Sequence, residues 1–120
     1  AIAYNVAYWD RALDSNYFDL FICHSGGMHD PGPPFIEGLR AGSWGTDVFS
    51  GQHFYLYCGK QDKEWGPAMC EYMHNAEQIV TEYGGTVERF VEDPEGGHAD
   101  FLLTDDYYED AIQVWFELTR

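Results

Sequence analysis

Apolar positions along this chain recur with two different periods, and the alternation between them sets the expected order of elements. In AIAYNVAYWDRAL, Ile2, Val6, Trp9 and Leu13 stand about one helical turn apart, so residues 1–13 are expected to form a helix carrying that stripe. Asp14-Ser15-Asn16 breaks the pattern, and residues 18–23 (FDLFIC) then read as a short buried strand with Asp19 near its start. Between Gly26 and Gln52 the chain is crowded with Gly and Pro, including Pro31, Pro33 and Pro34. Such residues block long regular elements and leave room for one short helix over 35–41.

A second apolar run, residues 54–58 (FYLYC), reads as another buried strand, closed by Gly59. Gly66-Pro67 opens a helix over about 67–83, because proline suits the first helical turn. Its stripe is Met69, Tyr72, Met73, Ala76, Ile79, Val80 and Tyr83, and Gly84-Gly85 stops it in the left-handed conformation that glycine enters cheaply. Residues 86–92 (TVERFVE) alternate and carry charges, as expected at a sheet edge. After a turn-rich stretch over 93–100, Thr104 or Asp105 can cap a last helix. The apolar face of that helix is Tyr108, Ala111, Ile112, Trp115 and Phe116, with Leu118 beside it. Strands alternating with helices imply an α/β fold, a parallel sheet with helices on its faces. Three strands make a thin sheet with one edge left open, which leads to the expectation that residues 1–120 are part of a larger domain.

Composition narrows the function classes. With 45% hydrophobic and 18% aromatic residues among 120, the chain can bury enough surface to offset its conformational entropy, which excludes intrinsic disorder. Six Lys and Arg against 21 Asp and Glu give a formal charge of −15, a field that repels phosphate backbones and anionic membranes. No uncharged apolar run approaches the roughly 18 residues of a membrane span. The opening Ala1, with no signal-type segment behind it, leads to the expectation of a processed chain or a fragment. Cys23, Cys58 and Cys70 are too few, and odd in number, for a disulfide scaffold. Cys23 and Cys58 end apolar runs, where buried thiols are expected. An acidic surface with few lysines suits an extracellular, secreted protein, although cytosolic proteins can look the same and the cysteines leave the compartment open.

In open parallel sheets, functional groups gather in loops beyond the carboxyl ends of the strands. Three such loops can be read: His24-Ser25-Gly26-Gly27-Met28-His29-Asp30, then Gly59-Lys60-Gln61-Asp62, then Glu92-Asp93-Pro94-Glu95-Gly96-Gly97-His98. An acid on the second loop and a histidine on the third suit an orienting carboxylate and a general base in acyl transfer. Asp62 before His98 also matches the chain order of acid then histidine in α/β-hydrolases. The plainer readings are that Asp62 caps a turn and that His98 is an exposed loop residue. Ser25 is a weak candidate nucleophile, since Cys23 stands where an elbow needs glycine and no helix is expected to follow directly. A metal site is the runner-up chemistry, with Cys70 and His74 four apart on a helix and His24, His29 and His53 on loops; core packing accounts for Cys70 more simply. Trp65, and with less positional support Trp44, is either core or the wall of an aromatic pocket. The acidic run over 105–110 reads as a solvated, dipole-matched helix start.

The order of these motifs resembles the C-terminal half of an α/β-hydrolase esterase, with its nearest likeness among the feruloyl esterases and the esterase D-like carbohydrate esterases. The carrying residues are the aromatic helix AIAYNVAYW, the strand YFDLFICHSGG with Ser25-Gly26, the GKQD after the second strand, and the final EGGH. The resemblance covers nearly the whole chain and implies that Asp62 is the triad acid and His98 the base. No G-x-S-x-G occurs in residues 1–120, so the resemblance places the nucleophilic serine a few residues before Ala1, in an N-terminal half that becomes this chain's partner. The implied function is hydrolysis of feruloyl or acetyl esters on plant cell-wall polysaccharide such as xylan, with Trp65 as a substrate-binding residue and no cofactor. A different class, a non-catalytic carbohydrate- or ligand-binding domain of the same shape, is the alternative.

Overall fold

The central strand organises the molecule. In the computed structural model, which describes residues 2–28, 34–66, 68–102 and 105–120, β2 (His53–Gly59) pairs in parallel with β1 (Phe21–His24) on one side and β3 (Thr86–Asp93) on the other. All of β2 from Phe54 to Gly59 is buried, as the unbroken run FYLYC requires of a strand covered on both faces. Side chains alternate across a strand, so Phe54, Leu56 and Cys58 enter one core while Tyr55 and Tyr57 enter another. Helices α1 (Ile2–Ala12), α2 (Pro34–Arg40) and α3 (Ala68–Glu82) build the first core through Tyr4, Leu39, Met73 and Ile79. The second core is closed by α4 (Asp105–Thr119) through Ala111 and Val114, and by a one-turn 3-10 helix (Asp100–Leu102) through Phe101. Each large side chain fully buried this way contributes about 1.5–3 kcal/mol. The fold is therefore α/β, a three-stranded parallel sheet with helices on both faces and β3 at an edge, as the sequence pattern implied.

Three expectations need correction. The first strand begins at Phe21 rather than at 18, and Tyr17 and Phe18 are exposed. The turn after α1 is longer than its composition suggests, because Asp14 and Asn16 both take left-handed φ and the Asp10 carboxylate accepts the Tyr17 N–H at 2.9 Å. Second, the apolar stripe of α1 faces outward: Ile2, Val6, Trp9 and Leu13 are exposed, and the helix buries Tyr4, Ala7 and Asp10 instead. In α4, likewise, Tyr108, Ile112, Trp115 and Phe116 are largely open while Ala111 and Val114 point inward. Among the described residues the sheet is three strands wide, and these helices bury one side against it while their apolar stripes lie on the other.

Third, Cys58 and Cys70 are not separate thiols in the core but a disulfide, with their Cα atoms 5.4 Å apart. Cys58 sits near the end of β2 and Cys70 in the first turn of α3, so the strand delivers one sulfur to the place where the helix begins. Cys23 remains a buried free thiol, and burial pushes its pKa up to about 12. The expected stop after α3 holds: Gly84 has a φ of +91°.

Candidate active site

The β2/β3 register sets Gly59 beside Asp93, so the loops that follow these two strands start side by side. The Lys60 N–H donates to the Asp93 carbonyl and the Gln61 N–H to the Gly96 carbonyl, both at 2.8 Å. This approach needs Gly59: a Cβ there would overlap the backbone of Gly96 and Gly97. Gly96 lies as tightly against the Tyr57 hydroxyl and the Asp93 carboxylate. The third loop is braced by two acids. Buried Asp93 accepts the Tyr57 hydroxyl at 2.7 Å and the Glu95 N–H at 3.1 Å, and Asp100 accepts the Gly97 N–H at 2.7 Å.

Within this frame Asp62 and His98 meet. Asp62 Oδ2 lies 2.7 Å from His98 Nδ1, with the Asp62 side chain 0% exposed and His98 31% exposed. The other carboxylate oxygen, Oδ1, accepts the backbone N–H groups of Glu64 at 2.9 Å and Trp65 at 2.8 Å. Burial alone would raise the Asp62 pKa, but the Trp65 N–H, the His98 imidazole and the Glu64 N–H together hold it below its ordinary value. An ionised carboxylate only accepts hydrogen bonds, so the proton between the two groups belongs to Nδ1. Neutral His98 then carries its lone pair on Nε2, the atom a general base uses. Glu64 Oε2 stands 3.5 Å from Nε2 and is itself exposed. The turn-capping reading of Asp62 holds, since Oδ1 caps the turn while Oδ2 contacts the imidazole.

Ser25 has a different partner from the one a nucleophile needs. Its Oγ–H donates to the His98 carbonyl at 2.6 Å, and its N–H donates to the Tyr57 carbonyl at 2.9 Å. Its φ of +49° is costly for a residue with a Cβ, by about 1–3 kcal/mol, and such strain persists where the surroundings fix it. Ser25 therefore ties the first loop to the backbone of His98. His24, just before it, stacks on Phe101 at 5.4 Å and has its Nδ1 buried. Burial first, then the charge of His98, lowers the His24 pKa.

Trp65 is 55% exposed, which removes the core reading and leaves its side chain open beside the Asp62 turn. Trp44 lies against Gly38 and meets Tyr8 at 5.5 Å, a packing role. The metal-ligand pairing of Cys70 with His74 is not available, because Cys70 is bonded to Cys58 and His74 pairs with Glu92. His53 pairs with Glu88 at 2.7 Å at the opposite end of β2, and His29 lies outside the described residues. Cys58, Cys70 and Glu92 come together among the described residues, but the two sulfurs are spent on each other.

Sequence reasoning missed three contributors: Glu64, Asp93 as the brace of the third loop, and Phe101 under His24. The Gly-Gly before His98 was the one signal that its loop lies close to something. Comparison of the chain with known protein families, with curated proteins and with solved structures finds no match.

Proposed function

We propose that this chain carries the acid and the base of a serine-type carboxylic ester hydrolase, Asp62 orienting His98. The observation that carries the reading is the 2.7 Å contact between a fully buried, doubly anchored carboxylate and an imidazole that remains partly open. In this reading Nε2 of His98 takes the proton of a serine hydroxyl as it attacks the acyl carbonyl. The same nitrogen then returns that proton to the departing sugar oxygen, while Asp62 stabilises the intervening imidazolium. No cofactor enters the chemistry.

The serine comes from a segment that adds to the sheet beside β1, within an α/β-hydrolase domain of which residues 1–120 form the C-terminal portion. Among the described residues β1 is paired on one side only, and the outward apolar face of α1 borders a groove of about 360 Å³ lined by Ile2, Val6, Trp9, Leu13 and Phe18. Both features favour further protein packed there. The substrate class rests on the resemblance carried by HSGG, GKQD and EGGH: feruloyl or acetyl esters of plant cell-wall polysaccharide such as xylan. Trp65 fits as the wall for an aromatic acyl group. The disulfide supports an extracellular, secreted location.

The test is an assay of methyl ferulate and an acetylated xylan oligosaccharide. One sample is residues 1–120 alone, the other the same chain with the residues encoded before Ala1. Turnover is expected only in the second, together with a G-x-S-x-G in the added residues. An extended chain with neither the motif nor turnover, yet binding the oligosaccharide, would instead establish a non-catalytic binding domain.

A further inference from the structure

We propose that the Cys58–Cys70 disulfide is a positioning device for Asp62, holding the acid in the orientation His98 requires. The inference rests on the acid–base reading of these two residues. The bond closes a ring of chain, 12 positions from Cys58 to Cys70, and Asp62 lies inside it.

The two limbs of that ring are held differently. The first, leaving β2, is tied to the third loop through the N–H groups of Lys60 and Gln61 and through the close approach of Gly59 to Gly96. The second limb contains Lys63, Glu64 and Trp65, all exposed, followed by Gly66 at a φ of +61°. Yet this second limb supplies both N–H groups that fix Asp62 Oδ1. Its far end is the first turn of α3, where the Met69 N–H reaches back to the Gly66 carbonyl at 3.2 Å and Cys70 is bonded to the strand. The disulfide therefore anchors the limb that aims the carboxylate. Without it the N–H groups of Glu64 and Trp65 lose their fixed distance from β2, and the Asp62 carboxylate is free to turn away from Nδ1.

The test reads His98 directly. A carboxylate-held imidazole Nδ1–H gives a far-downfield proton resonance, assigned here by its absence in His98→Ala. The His53/Glu88 pair, at the opposite end of β2, serves as an internal control. In a Cys58→Ala/Cys70→Ala variant that still melts cooperatively, the His98 resonance should broaden or vanish while the His53 signal stays in place. The same comparison is made on the native chain treated with dithiothreitol, whose two thiols become a cyclic disulfide as the protein bond becomes two thiols. In the extended chain, removing the disulfide should lower kcat by up to about 10²-fold with KM nearly unchanged. An unaltered His98 resonance overturns the proposal, as does equal loss of both signals, or unfolding of both the variant and the reduced protein, each of which makes the bond a general staple. Failure of the esterase reading looks different: no turnover in the extended chain, with the His98 response to disulfide loss intact.

Discussion

Asp62 and His98, 36 positions apart in sequence, meet across 2.7 Å because Gly59 lets the backbone of one loop lie on that of the other. The contact is asymmetric: the carboxylate is sealed from solvent while the imidazole is partly exposed. An imidazole arranged this way has its tautomer fixed from behind at Nδ1, while Nε2 faces only the exposed Glu64 carboxylate at 3.5 Å.

Asp62 should leave a signature in acid. Its pKa is held below the ordinary 3.8, so its ionised form stabilises the fold at neutral pH, and that contribution is lost as pH falls through the lowered value. Asp62→Asn removes the contribution at every pH. Urea unfolding of both proteins should therefore show a stability gap that is largest above about pH 5 and narrows below about pH 4. A gap independent of pH would mean the carboxylate charge contributes nothing.

His24 should weaken the fold in the same direction as pH falls, but from a higher pH. Burial and the His98 charge lower its pKa from 6.5, so the fold favours the neutral imidazole and loses stability as pH drops through the ordinary value and the unfolded chain takes up the proton. His98→Ala removes the second cause and keeps the first. The His24 midpoint, followed by its ring-proton resonances, should rise partway in that variant. No movement would place the two imidazoles out of electrostatic reach.

Gly59→Ala should act on the site from a position that touches no substrate. The new methyl overlaps the backbone of Gly96 and Gly97, so the second and third loops must part. We expect a loss of about 1–3 kcal/mol in stability and about 10²-fold in kcat of the extended chain. Wild-type turnover by Gly59→Ala would show that the loops need no such approach.

Trp65→Ala separates the acyl groups. If its exposed ring walls an aromatic pocket, feruloyl esters should lose about 1–3 kcal/mol of transition-state binding more than acetyl esters do. Equal losses on both would make acetyl esters the better substrate assignment.

The sequence made the element order and the two ends of the acid–base contact readable for separate reasons. FYLYC could only be a strand buried on both faces, and the stripe from Met69 to Tyr83 could only be a helix over a core. Asp62 and His98 were legible because loops after parallel strands converge at one end of a sheet. The outward stripes of α1 and α4 were not, since periodicity marks an apolar face without saying what covers it. The disulfide was hidden because 12 positions of sequence carry no distance; only the docking of α3 against β2 brings the two sulfurs together. Ser25 was visible as a polar residue after a strand, but its bond to the His98 carbonyl depends on a left-handed backbone that composition does not mark.

The central claim is that Asp62 and His98 act as one unit, and a double-mutant comparison in the extended chain tests it most directly. For an activated ester, His98→Ala should lower kcat by about 10³-fold or more, and Asp62→Asn by up to about 10⁴-fold. On that claim Asp62 works only through the imidazole, so adding Asp62→Asn to His98→Ala should cost nothing further. Losses that multiply in the double variant, or a folded His98→Ala enzyme with near-normal kcat, would contradict the account.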